Sequence, residues 1–221
     1  TTTSVIAEML RAAGKTVWLG GNIGTPLLDQ ADKMEADHVA VLELSSFQLM
    51  SMKKTPQVAV ITNLSPNHLD WHRDFEEYVE AKCNIFKNQG KDDVLVLNFD
   101  NPPSCALAEK APGQVRFFSR KSIPVVGGVW LKDGLLLDNG EPIMAAADIR
   151  IPGDHNVENY MAAISITRPY ASRESVLEVA RTFGGVEHRL ERVKEHDNVL
   201  WINDSKATNV DSVWYALESM T

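Results

Sequence analysis

The sequence predicts an α/β fold: a mostly parallel, doubly wound sheet with a small antiparallel appendage, followed by the start of a second α/β unit. Three observations carry this expectation. The runs Thr16-Val17-Trp18-Leu19, Val39-Ala40-Val41-Leu42, Val58-Ala59-Val60-Ile61 and Val94-Leu95-Val96-Leu97 are short and continuously apolar, as strands buried on both faces are. Segments with helical patterning separate them, near residues 26–35, 74–88 and 101–111. Past Gly184-Gly185 the pattern restarts as strand, turn, strand and helix.

Taken in order, Thr1-Thr2-Thr3-Ser4 runs straight into Val5, Ile6, Met9 and Leu10 at helical spacing, and Gly14 supplies a C-terminal stop. After the fourth apolar run, residues 125–131 and 135–137 flank Lys132-Asp133-Gly134, which reads as a hairpin turn. Helices follow near 155–167 and 172–183. Ile166-Thr167-Arg168-Pro169 is an abrupt join, leaving room for residues omitted between Thr167 and Arg168. A strand at 187–194, a turn at His196-Asp197-Asn198, a second strand and a helix ending at Thr221 complete the chain. We therefore expect one domain over residues 1–185 and the beginning of another over 186–221, in a piece cut at both ends.

A formal net charge of −8 argues against a broad nucleic-acid-binding surface and leaves room for a small anion held by local cations. Cys83 and Cys105 have no metal or disulfide spacing, which fits a reducing cytoplasm. No apolar run reaches the length of a membrane span, so no membrane insertion is expected.

The polar cassette Asn203-Asp204-Ser205-Lys206-Ala207-Thr208-Asn209 follows the apolar run 199–202 and precedes Val210, Val213, Trp214 and Leu217 at helical spacing. Loops past the carboxyl ends of strands are where ligands sit in such sheets. Asp204 or Ser205 suits a helix N-cap, but a cation in a first helical turn opposes the helix dipole, so Lys206 there implies another partner. Lys82 falls on the apolar stripe Phe75, Tyr78, Val79, Ile85 and Phe86. An ammonium there must snorkel to water, lose its charge or find a partner. Glu43 ends the second apolar run, and His68 lies shortly after the third, within Asn63-Leu64-Ser65-Pro66-Asn67-His68-Leu69-Asp70. Convergence of Glu43, His68 and Lys82 on one sheet edge would suit a hard divalent cation. Gly20-Gly21-Asn22-Ile23-Gly24 lies between a strand and a helix, where backbone amides can approach a phosphate.

Together these residues resemble the Mur ligase family, ATP-dependent amide-forming enzymes of peptidoglycan synthesis. The segments carrying the resemblance are Thr1-Thr2-Thr3, the tail of a GKTTT-type loop, Gly20-Gly21-Asn22-Ile23-Gly24, Glu43-Leu44-Ser45-Ser46-Phe47-Gln48-Leu49, residues 63–70, His155-Asn156-Val157-Glu158-Asn159, Glu187-His188-Arg189 and residues 203–209. Ser45-Ser46-Phe47-Gln48 and Asp204-Ser205-Lys206-Ala207-Thr208-Asn209 resemble the branch that adds D-glutamate to UDP-N-acetylmuramoyl-L-alanine. The resemblance implies a P-loop-like central ATPase domain followed by a Rossmann-like ligase domain. It implies ATP and two magnesium ions, with Thr1 and Glu43 on one metal and His68 and a carbamylated Lys82 on the other. It places Glu43, His68 and Lys82 in catalysis, and Asn22, Ser45, Gln48 and His68 against the UDP-linked substrate. Asn156 and Asn159 would lie near adenine, Asp204 near ribose, Arg189 and Lys206 on the phosphates, and Thr208 on D-glutamate. A cytoplasmic monomer is expected.

The glycines and lysine of the phosphate loop and the flanking domains are outside this sequence, so the piece alone is expected to be inactive. A folylpolyglutamate synthase-like or other Mur-type ligase is the alternative within enzymes. A dinucleotide-binding module is the alternative outside them, although residues 20–24 lack the G-x-G-x-x-G spacing. A scaffold that kept the fold without catalysis is a third.

Overall fold

A computed structural model describes residues 1–24, 26–67, 69–208 and 210–220 of the chain. The expectations placed on Thr25, His68, Asn209 and Thr221 lie outside the described residues. Helix α1 (Thr2–Ala12) buries Val5, Ile6, Ala7, Met9 and Leu10 along one face. Gly14 then turns left-handed, with φ 79°, and the Lys15 N–H reaches back to the Leu10 carbonyl. Strand β1 (Val17–Gly21) pairs in parallel with β2 (Val39–Glu43), in register from Val17 opposite Val39 to Gly21 opposite Glu43.

The helix expected at 26–35 is instead a 3-10 helix over Leu28–Lys33 with no buried residue. Its Asp, Gln and Lys side chains offer no apolar face, and Leu28 is 84% exposed. A short helix that periodicity does not reveal, α2 (Ser46–Met50), follows β2. It begins with a capping box: Ser45 Oγ accepts the Gln48 N–H at 3.3 Å, and Gln48 Oε1 accepts the Ser45 N–H at 2.9 Å.

Next come β3 (Val58–Ile61), α3 (Phe75–Cys83), β4 (Val94–Asn98), α4 (Pro102–Cys105), β5 (Gln114–Ser119), β6 (Gly128–Lys132), β7 (Leu135–Asp138) and β8 (Glu141–Ala145). These strands form one sheet in sequence order, parallel from β3 to β6 and antiparallel from β6 to β8. The antiparallel part is present, and it continues the main sheet instead of standing apart. Two helices are shorter than expected. The 74–88 helix ends at Cys83, and the 101–111 segment divides into α4 and a 3-10 helix over Ala106–Lys110.

Helices α5 (Asp154–Thr167) and α6 (Arg173–Thr182) are joined by a tight turn in which the Tyr170 and Ala171 amides donate to the Thr167 carbonyl. With α1 they cover one sheet face, packing on Val96, Phe118, Val129 and Leu136. The other face buries Ala59, Ile61, Leu95, Leu97 and Phe117 with Tyr78, Phe86 and Leu107. Leu95 and Leu97 point one way and Val96 the other, the period-two alternation of a strand buried on both sides. The sheet is thus doubly wound.

The chain ends in the antiparallel pair β9 (Glu191–His196) and β10 (Val199–Asn203), then α7 (Val210–Glu218). Asp197 and Asn198 both have positive φ, 51° and 61°, as a two-residue I′ hairpin requires. The first strand starts at Glu191, later than the expected 187.

No backbone ladder joins β1–β2 to the six-stranded sheet among the described residues. Between them lies a cavity of about 1520 Å³ whose walls include residues 39–43 of β2 and 58–61 of β3. Where β6 meets β5, Gly128 has φ 136°, and a Cβ there would stand 1.9 Å from the Phe117 carbonyl oxygen. Gly128→Ala is therefore expected to cost about 2–3 kcal/mol in urea unfolding, since both the backbone conformation and the β5–β6 contact are lost. A change near zero would show that β6 does not enter the sheet through this close approach.

Candidate active site

Everything in the cavity is arranged around the carboxyl end of β2. Gly21 lets β1 come close there: a Cβ on it would lie 2.2 Å from the Glu43 carbonyl oxygen. That oxygen also accepts the Asn22 N–H at 2.7 Å, so the turn after β1 is tied to Glu43 and the Asn22 residue lines the cavity. Gly21 thus has a packing reason independent of any phosphate.

The first turn of α1 faces the same point. Thr1, Thr2 and Thr3 line the cavity, and Thr3 Oγ1 donates to Glu43 Oε2 at 3.4 Å. Thr2 Oγ1 donates to Asn159 Oδ1, while Asn159 Nδ2 donates to Asn156 Oδ1 at 3.1 Å and Asn156 Nδ2 to the Pro152 carbonyl at 2.6 Å. This chain fixes the start of α5, where Asn156 is only 5% exposed, against the start of α1.

Lys82 enters from α3. Its Nζ donates to the Leu44 carbonyl at 3.4 Å and lies 5.8 Å from the Tyr78 ring centroid. Lys82 is half-buried and lines the cavity beside Glu43. Burial pushes its pKa below the ordinary lysine range, and the Glu43 carboxylate opposes that shift. A larger share of uncharged amine follows, which is the form that acts as a nucleophile.

Ser45 also lines the cavity, whereas the Gln48 side-chain oxygen is committed to the cap of α2, accepting from Ser45 N at 2.9 Å and Ser45 Oγ at 3.1 Å. From the C-terminal segment, Arg189 and Asp204 reach the cavity wall. Asp204 Oδ1 accepts the Leu190 N–H at 3.1 Å. Lys206 occupies a turn well before α7 begins at Val210, which removes the conflict with the helix dipole that its sequence position implied. Thr208 sits apart, on a small apolar pocket with Val213, Trp214 and Leu217.

Three residues not singled out from the sequence join the wall. His155 lies 6.1 Å from the Tyr215 ring, centroid to centroid, bridging α5 and α7. Burial lowers its pKa, with Asp204 and Asp154 opposing and Arg189 adding. Glu158 is pushed up by burial against the pull of Arg120, whose Nε donates to it at 3.2 Å. His155 and Glu158 lie in the same helical segment as Asn156 and Asn159, a signal that was available. The Tyr215 contact depends on long-range folding.

Among the described residues, Glu35, Asp37 and His38, the last two on the cavity wall, bring ligand atoms within 4.8 Å of one another. His38 Nδ1, however, accepts from Trp18 Nε1 and from the Glu35 amide, each at 3.1 Å. The neutral ring then carries its proton on Nε2 and has no lone pair free for a metal.

The cavity wall combines hydroxyls, a carboxylate, a desolvated amine and cations. Residues 1–167 match the Mur ligase middle domain. The chain belongs to the Mur ligase family. It is 49% identical over 212 residues to the UDP-N-acetylmuramoylalanine–D-glutamate ligase of Acetivibrio thermocellus, covering 95% of this chain and 46% of that protein. The chain thus spans about half the length of the curated relatives it matches. Its fold is shared with a UDP-N-acetylmuramoyl-L-alanyl-D-glutamate–2,6-diaminopimelate ligase, at a TM-score of 0.76 and 20% identity over 100% of this chain and 51% of that one. It is shared also with the MurF ligase of Thermotoga maritima in complex with ADP, at 0.70 and 17% over 99% and 54%.

The Lys82 environment makes a pH-dependent expectation. An amine whose folded pKa lies below its unfolded value of about 10.4 costs stability below that pH and nothing above it. Lys82→Met is expected to melt higher than the parent chain at pH 7, the difference closing as pH rises toward about 10.4. An equal or lower Tm at pH 7 would argue that the amine is hydrated.

Proposed function

We propose that this chain is the central nucleotide-binding part, with the start of the C-terminal part, of a cytoplasmic, monomeric ligase that uses ATP to join D-glutamate to UDP-N-acetylmuramoyl-L-alanine. The observation that carries the reading is the meeting of Glu43, the first turn of α1 and the desolvated Lys82 amine in one cavity. The names of the sequence relatives supply the acceptor and donor. We assign residues 1–185 to the first domain and 186–221 to the second. The unfilled interval between β2 and β3 is where we place the strand that leads into the phosphate-binding loop, since a parallel strand there would deliver its carboxyl end at Thr1.

In this reaction the donor's alanyl carboxylate attacks the γ-phosphorus of ATP, and the bond to the ADP oxygen breaks. The D-glutamate amine then attacks the acyl phosphate carbon, loses a proton, and inorganic phosphate leaves as the amide forms. Asn22, Ser45, Gln48 and His68 hold the UDP-linked donor, and Thr208 meets D-glutamate once the second domain moves in. Asn156 and Asn159 border the adenine, with Asp204 on the ribose. Arg189 and Lys206 offset charge on the phosphoryl oxygens. The hydroxyl and carboxylate donors at Thr1 and Glu43 suit magnesium, and a carbamate on Lys82 would give His68 a second oxygen-donor partner for another ion. Such ions supply charge neutralisation on the transferring phosphoryl group.

The test is steady-state ADP release by the intact ligase. D-Glutamate is expected to support turnover, and L-glutamate, L-lysine and meso-diaminopimelate are not; preference for any of these three would overturn the acceptor assignment. Lys82→Ala is expected to lower kcat about a hundredfold or more, with part of the rate restored by added short carboxylates. Undiminished activity would remove the carbamate.

A further inference from the structure

We propose that His72 is a positioning residue that locks the donor-side turn at residues 44–48 to the helix carrying Lys82. This rests on the reading above that Ser45 and Gln48 face the UDP-linked donor. His72 is 3% exposed, and its Nε2 shares a buried hydrogen bond of 3.0 Å with Ser46 Oγ, at the start of α2. Its ring stacks on Phe47, with centroids 5.5 Å apart and planes 10° from parallel. Its other neighbour is Tyr78 of α3, met edge-on at 5.5 Å and 75°. Tyr78 is one helical turn from Lys82 and carries the Lys82 ammonium near its ring face at 5.8 Å. Lys82 closes the circuit through its bond to the Leu44 carbonyl.

Two anchors therefore grip one short turn. Lys82 holds it at Leu44, and His72 holds it at Ser46 and Phe47. Both originate from the same Tyr78 surface, so displacement of the His72 ring moves the turn and the lysine relative to each other. α2 has a single turn of backbone hydrogen bonds, too few to hold its own orientation. A buried imidazole bonded at Nε2 and flanked by two aromatic rings has one orientation available, and it transmits that orientation to Ser46. Phenylalanine at position 72 would keep the stack and lose the bond, and asparagine would keep a polar contact and lose the stack.

The experiment uses His72→Phe, His72→Asn, Ser46→Ala and the His72→Phe/Ser46→Ala pair. In the intact ligase, His72→Phe and Ser46→Ala are each expected to raise the KM for UDP-N-acetylmuramoyl-L-alanine about tenfold, the worth of one buried hydrogen bond. The KM for ATP is expected to stay within twofold, and the double variant to match either single one. Equal rises in both KM values, effects that multiply in the double variant, or no change would overturn the proposal. Amide exchange on this chain is the readout independent of activity. Gln48 and Leu49 are expected to exchange faster in His72→Phe and His72→Asn while α1 and α5 keep their protection. Unchanged exchange at Gln48 and Leu49 also overturns it. Absence of donor-dependent turnover in the unsubstituted ligase would instead refute the proposed function, with the exchange result still deciding the role of His72.

Discussion

One hydrophobic core seated on α1 holds together two sheets that share no backbone ladder among the described residues. Val5, Ile6, Met9 and Leu10 pack in the same cluster as Val41 of β2, Val96 of β4, Phe118 of β5 and the buried face of α5. The site depends on this arrangement. Because α1 packs on β1, β2 and α5, its first turn meets Glu43 from β2 and Asn159 from α5 simultaneously.

The chemistry of the cavity follows from what surrounds Lys82. A lysine on an apolar helix face has two ordinary fates, reaching for water or pairing with a carboxylate at short range. Here its Nζ donates to the Leu44 carbonyl, and the Glu43 carboxylate acts on it through the field. The result is an amine whose pKa burial pulls below the ordinary lysine range while Glu43 pulls it back. The same carboxylate is engaged by the Thr3 hydroxyl, so Glu43 links the α1 side of the cavity to the α3 side.

Continuous apolar runs were enough to find β1 to β4, and Asp133-Gly134 was enough to find the β6–β7 turn. β5 escaped because Arg116 interrupts its apolar pattern; Arg116 is satisfied by Asp138 on β7 at 2.6 Å, a partner no local window contains. β8 escaped because Pro142 sits inside it, which an edge strand tolerates, although Asn139-Gly140 ahead of it is a strong hairpin signal. At the site, Glu43 and Lys82 stood out because each is a charge in an apolar pattern. Lys206 was misplaced into a helix because Asp204 has the chemistry of a cap, and only the fold reveals that its carboxylate serves Leu190. His72 and Tyr215 gave no signal, since their value lies in which rings they meet.

Gly185 sits between the two halves of the chain with φ 104°, and a side chain there would meet only Ile151, at 3.5 Å. Its positive φ is a backbone conformation that side-chain-bearing residues rarely adopt, so glycine sets the direction in which the following segment leaves. Glu43 and Lys82 ride on the sheet and its helices, while Arg189 and Lys206 ride beyond that torsion. The oxygen-donor wall of the cavity and the Arg189 cation on it therefore come from opposite sides of one glycine torsion.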